Sequence, residues 1–106
     1  MLTRHKKKLT YTIRVRVWIY PGERGNWHFV TVPKKESAQI TDTFRAFKRG
    51  WGSLPVDVTL GKTSWRTSIF PENKMGTYLL PLKAIIRRKE GVEAGDSVVV
   101  TFTIKP

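Results

Sequence analysis

The chain has 106 residues, 40% of them apolar and 11% aromatic, which suffices for one modest core and argues against disorder over most of its length. It contains no cysteine, which excludes disulfides, thiol catalysis, zinc–thiolate sites and iron–sulfur clusters. Twenty Lys and Arg against eight Asp and Glu give a net charge of +12, and a surface this basic attracts polyanions: nucleic acid, acidic membranes or acidic proteins.

Residues 1–8, with Arg4, Lys6, Lys7 and Lys8, read as a frayed basic tail ahead of a single domain over 9–106. No apolar segment follows the tail, so it is not a secretory signal. No run approaches the roughly 18 apolar residues that span a bilayer. A cytoplasmic protein with no membrane partner is expected. From Leu9 to Tyr20 the residues alternate. Tyr11, Ile13, Val15, Val17 and Ile19 fall on one face, and Thr10, Thr12, Arg14, Arg16 and Trp18 on the other, which predicts a half-buried strand. Pro21–Asn26 is turn chemistry, and Trp27–Val32 is a second strand halted at Pro33.

Ser37–Lys48 reads as a short helix, with Ile40, Phe44 and Phe47 at i, i+4 and i+7. Val56, Val58 and Leu60 mark a third strand, and Gly61-Lys62 a hairpin turn. Ser64–Phe70 is the next strand, with Trp65, Thr67 and Ile69 on one face and Arg66, Ser68 and Phe70 on the other. Thr77–Leu80 is a short strand. Pro81 suits a helix entry, because its missing N–H would have no intrahelical partner. Leu82, Ile85 and Ile86 give that helix an apolar face, and it ends at Gly91. Val98, Val100, Phe102 and Ile104 alternate to the end of the chain.

The order β-β-α-β-β-β-α-β divides into similar halves. "IYPGERGNWHFVTVP" and "IFPENKMGTYLLP" share an Ile-aromatic-Pro start, a polar loop, a Gly, an aromatic and a closing Pro, and each precedes a helix and an alternating strand. We read this as an internal pseudo-duplication. Strands this short bury their apolar faces best by closing on one another as a barrel, which also removes exposed edges.

The second half, "LPLKAIIRRKEGVEAGDSVVVTF", resembles the swapped-hairpin pattern of the antitoxin and transition-state-regulator barrels, dimeric double-split barrels of which many bind DNA. A closer resemblance runs from about Tyr11 onward. "NWHFVTVP", "RGWGSLPVDVTLG", "SWRTSIFP", "GTYLLPLKAIIRRKEG" and "GDSVVV", in that order, resemble the bacterial and archaeal DUF1905 family of domains of unknown function. The resemblance implies a mainly β fold: a closed six-stranded β-barrel in one chain, related to the double-split barrels, with two short helices. One chain would then supply both halves of what is otherwise a dimer, so a monomer is expected. It implies no biochemical activity.

Catalysis finds no support in the residues. The only histidines are His5, in the tail, and His28, on a strand. There is no Gly-x-Ser-x-Gly and no His-Glu-x-x-His, and "GKTSW" lacks the upstream glycine and following helix of a phosphate-binding loop. No catalytic residue, metal site or cofactor is expected, and His28 reads as a packed strand residue. Two non-enzymatic binding readings remain. In the first, a small anionic ligand or a protein binds through the barrel, with Arg66 and Ser68 as anion contacts and Trp27, Trp51 and Trp65 as walls. In the second, DNA or RNA binds a basic surface of Arg14, Arg16, Lys83, Arg87 and Arg88. Arg66 could equally be a structural residue whose guanidinium is tied to a carboxylate.

Overall fold

The computed structural model describes residues 9–22, 25–45 and 52–105. The predicted tail, Phe47 and Trp51 lie outside the described residues. Seven strands and two helices follow in the order β1 (Thr10–Arg16), β2 (Trp18–Gly22), β3 (Gly25–Val32), α1 (Lys34–Phe44), β4 (Leu54–Leu60), β5 (Thr63–Glu72), β6 (Thr77–Pro81), α2 (Ala84–Glu90) and β7 (Ser97–Ile104). The fold is mainly β, as the alternation predicts.

Alternation also selects the core. Tyr11 and Ile13 of β1, Val30 and Val32 of β3, the four apolar residues of β4, Ile69 of β5, Leu80 of β6 and the apolar set of β7 are buried in one cluster. Each such aliphatic side chain contributes about 1.5–3 kcal/mol on burial. Register keeps the cluster continuous across strands. Tyr11 faces Phe102 on β7, with ring centroids 5.6 Å apart. Val58 on β4 faces Phe102 on one side and Trp65 of β5 on the other. α1 buries Ile40 and Phe44 against this core, and α2 buries Ile86.

The strands form one antiparallel sheet in the order β1-β7-β4-β5-β6-β3-β2. The expected closed six-stranded barrel is therefore corrected: the sheet is an open, curled half-barrel of seven strands, with β1 and β2 at its edges. The cause lies in Val17. The predicted strand Leu9–Tyr20 is two strands joined at this residue. Its side chain is buried, its N–H donates to the Asp96 carbonyl at 2.9 Å, and its carbonyl accepts from the Gly95 N–H at 2.7 Å. The chain turns out of one ladder there and into another, so β1 pairs with β7 and β2 with β3. β1 approaches β3 without a ladder between them. Ile19, expected in the core, is 39% exposed because β2 is an edge strand.

Two helix boundaries also differ from the periodic reading. α1 begins at Lys34, directly after Pro33, and its polar first turn carries no apolar signal. Ser37 is a buried joint rather than a cap: its Oγ donates to the Val32 carbonyl at 2.9 Å and accepts from the Tyr78 N–H at 3.1 Å. In α2, Leu82 is buried but precedes the helix, and Ile85 is 52% exposed, so the buried helical face is narrower than the pattern suggests.

The far end of α2 is fastened to the β4–β5 turn. Glu90 accepts a hydrogen bond from the Thr63 hydroxyl at 2.5 Å and a second from the Lys62 N–H at 3.3 Å. Gly61 makes the turn with φ +60°, and a Cβ there would run into the Glu90 carboxylate. Gly61→Ala combines left-handed strain with that clash. We expect it to lower stability by about 1 kcal/mol or more in urea unfolding, and the Gly61→Ala/Glu90→Ala double variant to recover the share due to the clash.

Candidate functional site

β5 is shared between two neighbours. It pairs with β4 from Thr63 to Ile69, but with β6 only through Phe70, Pro71 and Glu72. β6 continues along β3 as far as the Phe29–Pro81 pair. Past Phe70 and Leu79 the two strands part, and the residues around the split enclose a cavity of about 640 Å³. β3 contributes Trp27 and Phe29, β5 contributes Phe70, β6 contributes Leu79, and Lys83, just before α2, and Arg87, within it, border the cavity.

Each side chain reaches the cavity for a local reason. Trp27 and Phe29 occupy the odd positions of β3, opposite in phase to the buried Val30 and Val32. Trp27 stays 60% exposed and Phe70 42% exposed, so both rings stand at the mouth. Lys83 is the extended residue before α2, with φ −67° and ψ 153°, and Arg87 lies one turn further along. The Arg87 Nε donates to the Leu82 carbonyl at 3.1 Å, which fixes where the guanidinium sits. Its position in the last turn of α2 also suits the negative end of the helix dipole. His28 lines the same cavity, and its Nδ1 is buried without a hydrogen-bond partner among the described residues. The whole is an aromatic and aliphatic surface with two cations and one imidazole: a shape for a flat apolar body bearing a negative group.

Of the residues singled out from the sequence, the structure brings Trp27, Lys83 and Arg87 together. Trp65, Arg66 and Ser68 do not line this cavity. Trp65 faces inward and packs against the core. Ser68 stands opposite Pro55. Arg66 stands opposite Asp57, its Nε donating to Oδ1 at 2.9 Å, while the Lys105 Nζ lies 3.6 Å from Oδ2. Arg14 and Arg16 are exposed on β1, opposite Val99 and Ser97. Arg88, next to Arg87, is exposed beside a shallower depression with Gly91 and Val92. The sequence reading passed over Phe29, Phe70 and His28 as site residues. The signal for Phe70 was its outward phase beside the inward Ile69. For His28 there was none. Among the described residues no three His, Asp or Glu are grouped as a metal site, and no helix is long and apolar enough to cross a membrane.

The Asp57 carboxyl is held below its ordinary range chiefly by the hydrogen bond from Arg66; partial desolvation opposes this, and the charges of Arg66 and Lys105 add to the lowering. The same pairing raises the Arg66 guanidinium. A depressed carboxylate contributes stability that is present above the unfolded pKa of about 3.9 and is lost as pH falls through the folded value. The pair is solvent-exposed, so the effect is small and screened by salt. We expect Asp57→Asn to have a slightly lower urea midpoint than the wild type at neutral pH, with the two curves converging as pH falls below the ordinary carboxylate range.

No curated protein matches the chain. The model of one protein family, a domain of unknown function (DUF1905), matches residues 14–102, a span that takes in β2 to α2 complete together with the end of β1 and most of β7. With the ladder, both helices and every described residue of the cavity inside that span, the chain belongs to the DUF1905 family.

Proposed function

We propose that the chain is a non-enzymatic binding domain, and that the cavity at the β5–β6 split takes a small ligand with a flat apolar body and an anionic group. One observation carries this reading: Trp27 and Phe70 stand exposed at the mouth of a cavity whose rim holds Lys83 and a tethered Arg87. Exposed rings of this size are costly to hydrate, and covering them returns apolar burial of about 25 cal/mol per Å². A cation beside them distinguishes an anionic ligand from a neutral one. Trp65, Arg66 and Ser68, the other anchors expected from the sequence, have no part in this site; Arg66 belongs to the Asp57 pair.

The test uses two probes, 1-anilinonaphthalene-8-sulfonate and adenosine 5′-monophosphate, titrated against tryptophan and probe fluorescence. Trp27→Ala is expected to weaken both by about tenfold, the scale of one lost ring contact. Lys83→Ala should weaken both while leaving uncharged naphthalene unaffected. Full affinity of both probes for Trp27→Ala and Lys83→Ala would overturn the reading.

The chain is further proposed to be an internal duplication, a self-contained relative of the double-split barrels. Supporting it, β3 pairs with β6 and β4 with β7, the strands that the two sequence halves set in correspondence. Light scattering should then give the mass of one chain, 12.2 kDa. An obligate intertwined dimer would remove this reading.

A further inference from the structure

Arg14 and Arg16 are exposed at alternate positions of β1, and beyond the bend at Val17 Trp18 and Tyr20 take alternate positions on one face of β2. Across the β2–β3 ladder the facing residues are also aromatic: Trp18 faces Phe29 and Tyr20 faces Trp27. The first pair is locked. Its ring centroids are 5.3 Å apart, and the Trp18 Nε1 donates to the Thr31 hydroxyl at 2.9 Å. The second pair is open to solvent, with Tyr20 and Trp27 each 60% exposed. Trp27 in turn lines the cavity that Lys83 and Arg87 border, and Arg88 follows Arg87 in α2 at the edge of a neighbouring depression that Arg87 shares. Two guanidiniums thus lead into two aromatic rows, and the rows lead into a cavity with further cations on its rim. None of these five cations forms an ion pair with a described carboxylate.

We infer that this track binds single-stranded nucleic acid. One base sits in the cavity against Trp27, the next stacks on Tyr20, and the phosphates are held by Arg14 and Arg16 on one side and by Lys83, Arg87 and Arg88 on the other. The base in the cavity rests on the ligand reading proposed above; the stacking on Tyr20 and the arginine track go beyond it. Charge decides the class of partner. An apolar protein surface would cover the rings but leave the flanking cations unanswered, on a chain of net charge +12. Stacked bases joined by phosphates answer both, because every base offers a π-face and every linkage an anion. A duplex hides its base faces and would leave Tyr20 and Trp27 idle, so the single strand is the form that fits.

The test is fluorescence anisotropy with a labelled twelve-nucleotide oligothymidylate, the same length as duplex, and thymidine 5′-monophosphate, at 50 and 200 mM salt. We expect the single strand to bind more tightly than the duplex and the mononucleotide. Five neutralised phosphates give a slope of about −3.5 in log affinity against log salt, or roughly a hundredfold loss over that interval. Tyr20→Ala should weaken the oligonucleotide by about tenfold and leave 1-anilinonaphthalene-8-sulfonate binding unchanged, with Tyr20→Trp restoring affinity. Trp27→Ala should weaken both ligands. Binding of the duplex as tightly as the single strand, an unaltered Tyr20→Ala affinity, or equal competition by polyglutamate or phosphatidylserine vesicles would overturn the inference. If the small probes bind but the oligonucleotide gains nothing over the mononucleotide, the inference fails and the ligand reading stands. If the oligonucleotide binds through Tyr20 and no small probe binds, the ligand reading fails while the track remains.

Discussion

β5 has to satisfy β4 along most of its length and β6 at its end, and these two neighbours run apart. The two ladders use opposite edges of β5, and the one with β6 ends after three pairs while the one with β4 continues, so the β6-side edge of β5 is left without a strand from there on. The sheet therefore opens where β5 leaves β6, and the fold has to cover the gap with something other than a strand. α2 and the residues leading into it do part of this, burying Leu82 ahead of the helix and Ile86 within it and tying Glu90 to the β4–β5 turn. What it leaves uncovered is the cavity between Trp27, Phe70 and Arg87. The site follows from the shortness of the β5–β6 ladder, and the side chains around it are those that the local phase of each element delivers.

The two faces of the sheet are treated differently in consequence. The inner face is filled by a continuous apolar cluster in which Tyr11, Phe102 and Val58 interlock across three strands. On the outer face, hydroxyls pair across the ladder at the β1–β7–β4–β5 end, as in Thr10 with Thr103 and Thr59 with Ser64. At the β2–β3–β6 end the same face carries rings. Ordinary solubility is served by the first arrangement and not by the second. The contrast lies within one sheet, so the aromatic end is a local feature rather than a general property of the surface.

Much of the fold was legible because alternation and turn residues carry most of the information in short strands. The inward sets of β4 and β7, the hairpin at Gly61 and the helix end at Gly91 all follow from spacing alone. The bend at Val17 was not legible. Its residues continue the alternating pattern, and its cause is a backbone exchange with Gly95 and Asp96, nearly 80 positions away. The closed barrel failed for the same reason, since closure depends on which strands share a ladder and not on which residues face inward. At the site, the sequence reading chose Trp27, Lys83 and Arg87 for their chemistry but grouped Trp27 with Arg66. Only the pairing register separates them, by placing Arg66 against Asp57 and Phe70 at the split.

A seven-residue helix is too short to persist by its own hydrogen bonds. α2 holds its place through the buried Ile86, the buried Leu82 just ahead of it and the Glu90 carboxylate at its far end. The cations on the cavity rim are thus mounted on an element anchored at a hairpin on the far side of the split. Leu82 and Ile86 belong to the same core cluster as the strands, so a shift of the rim cations is transmitted both to the core packing and to the β4–β5 turn.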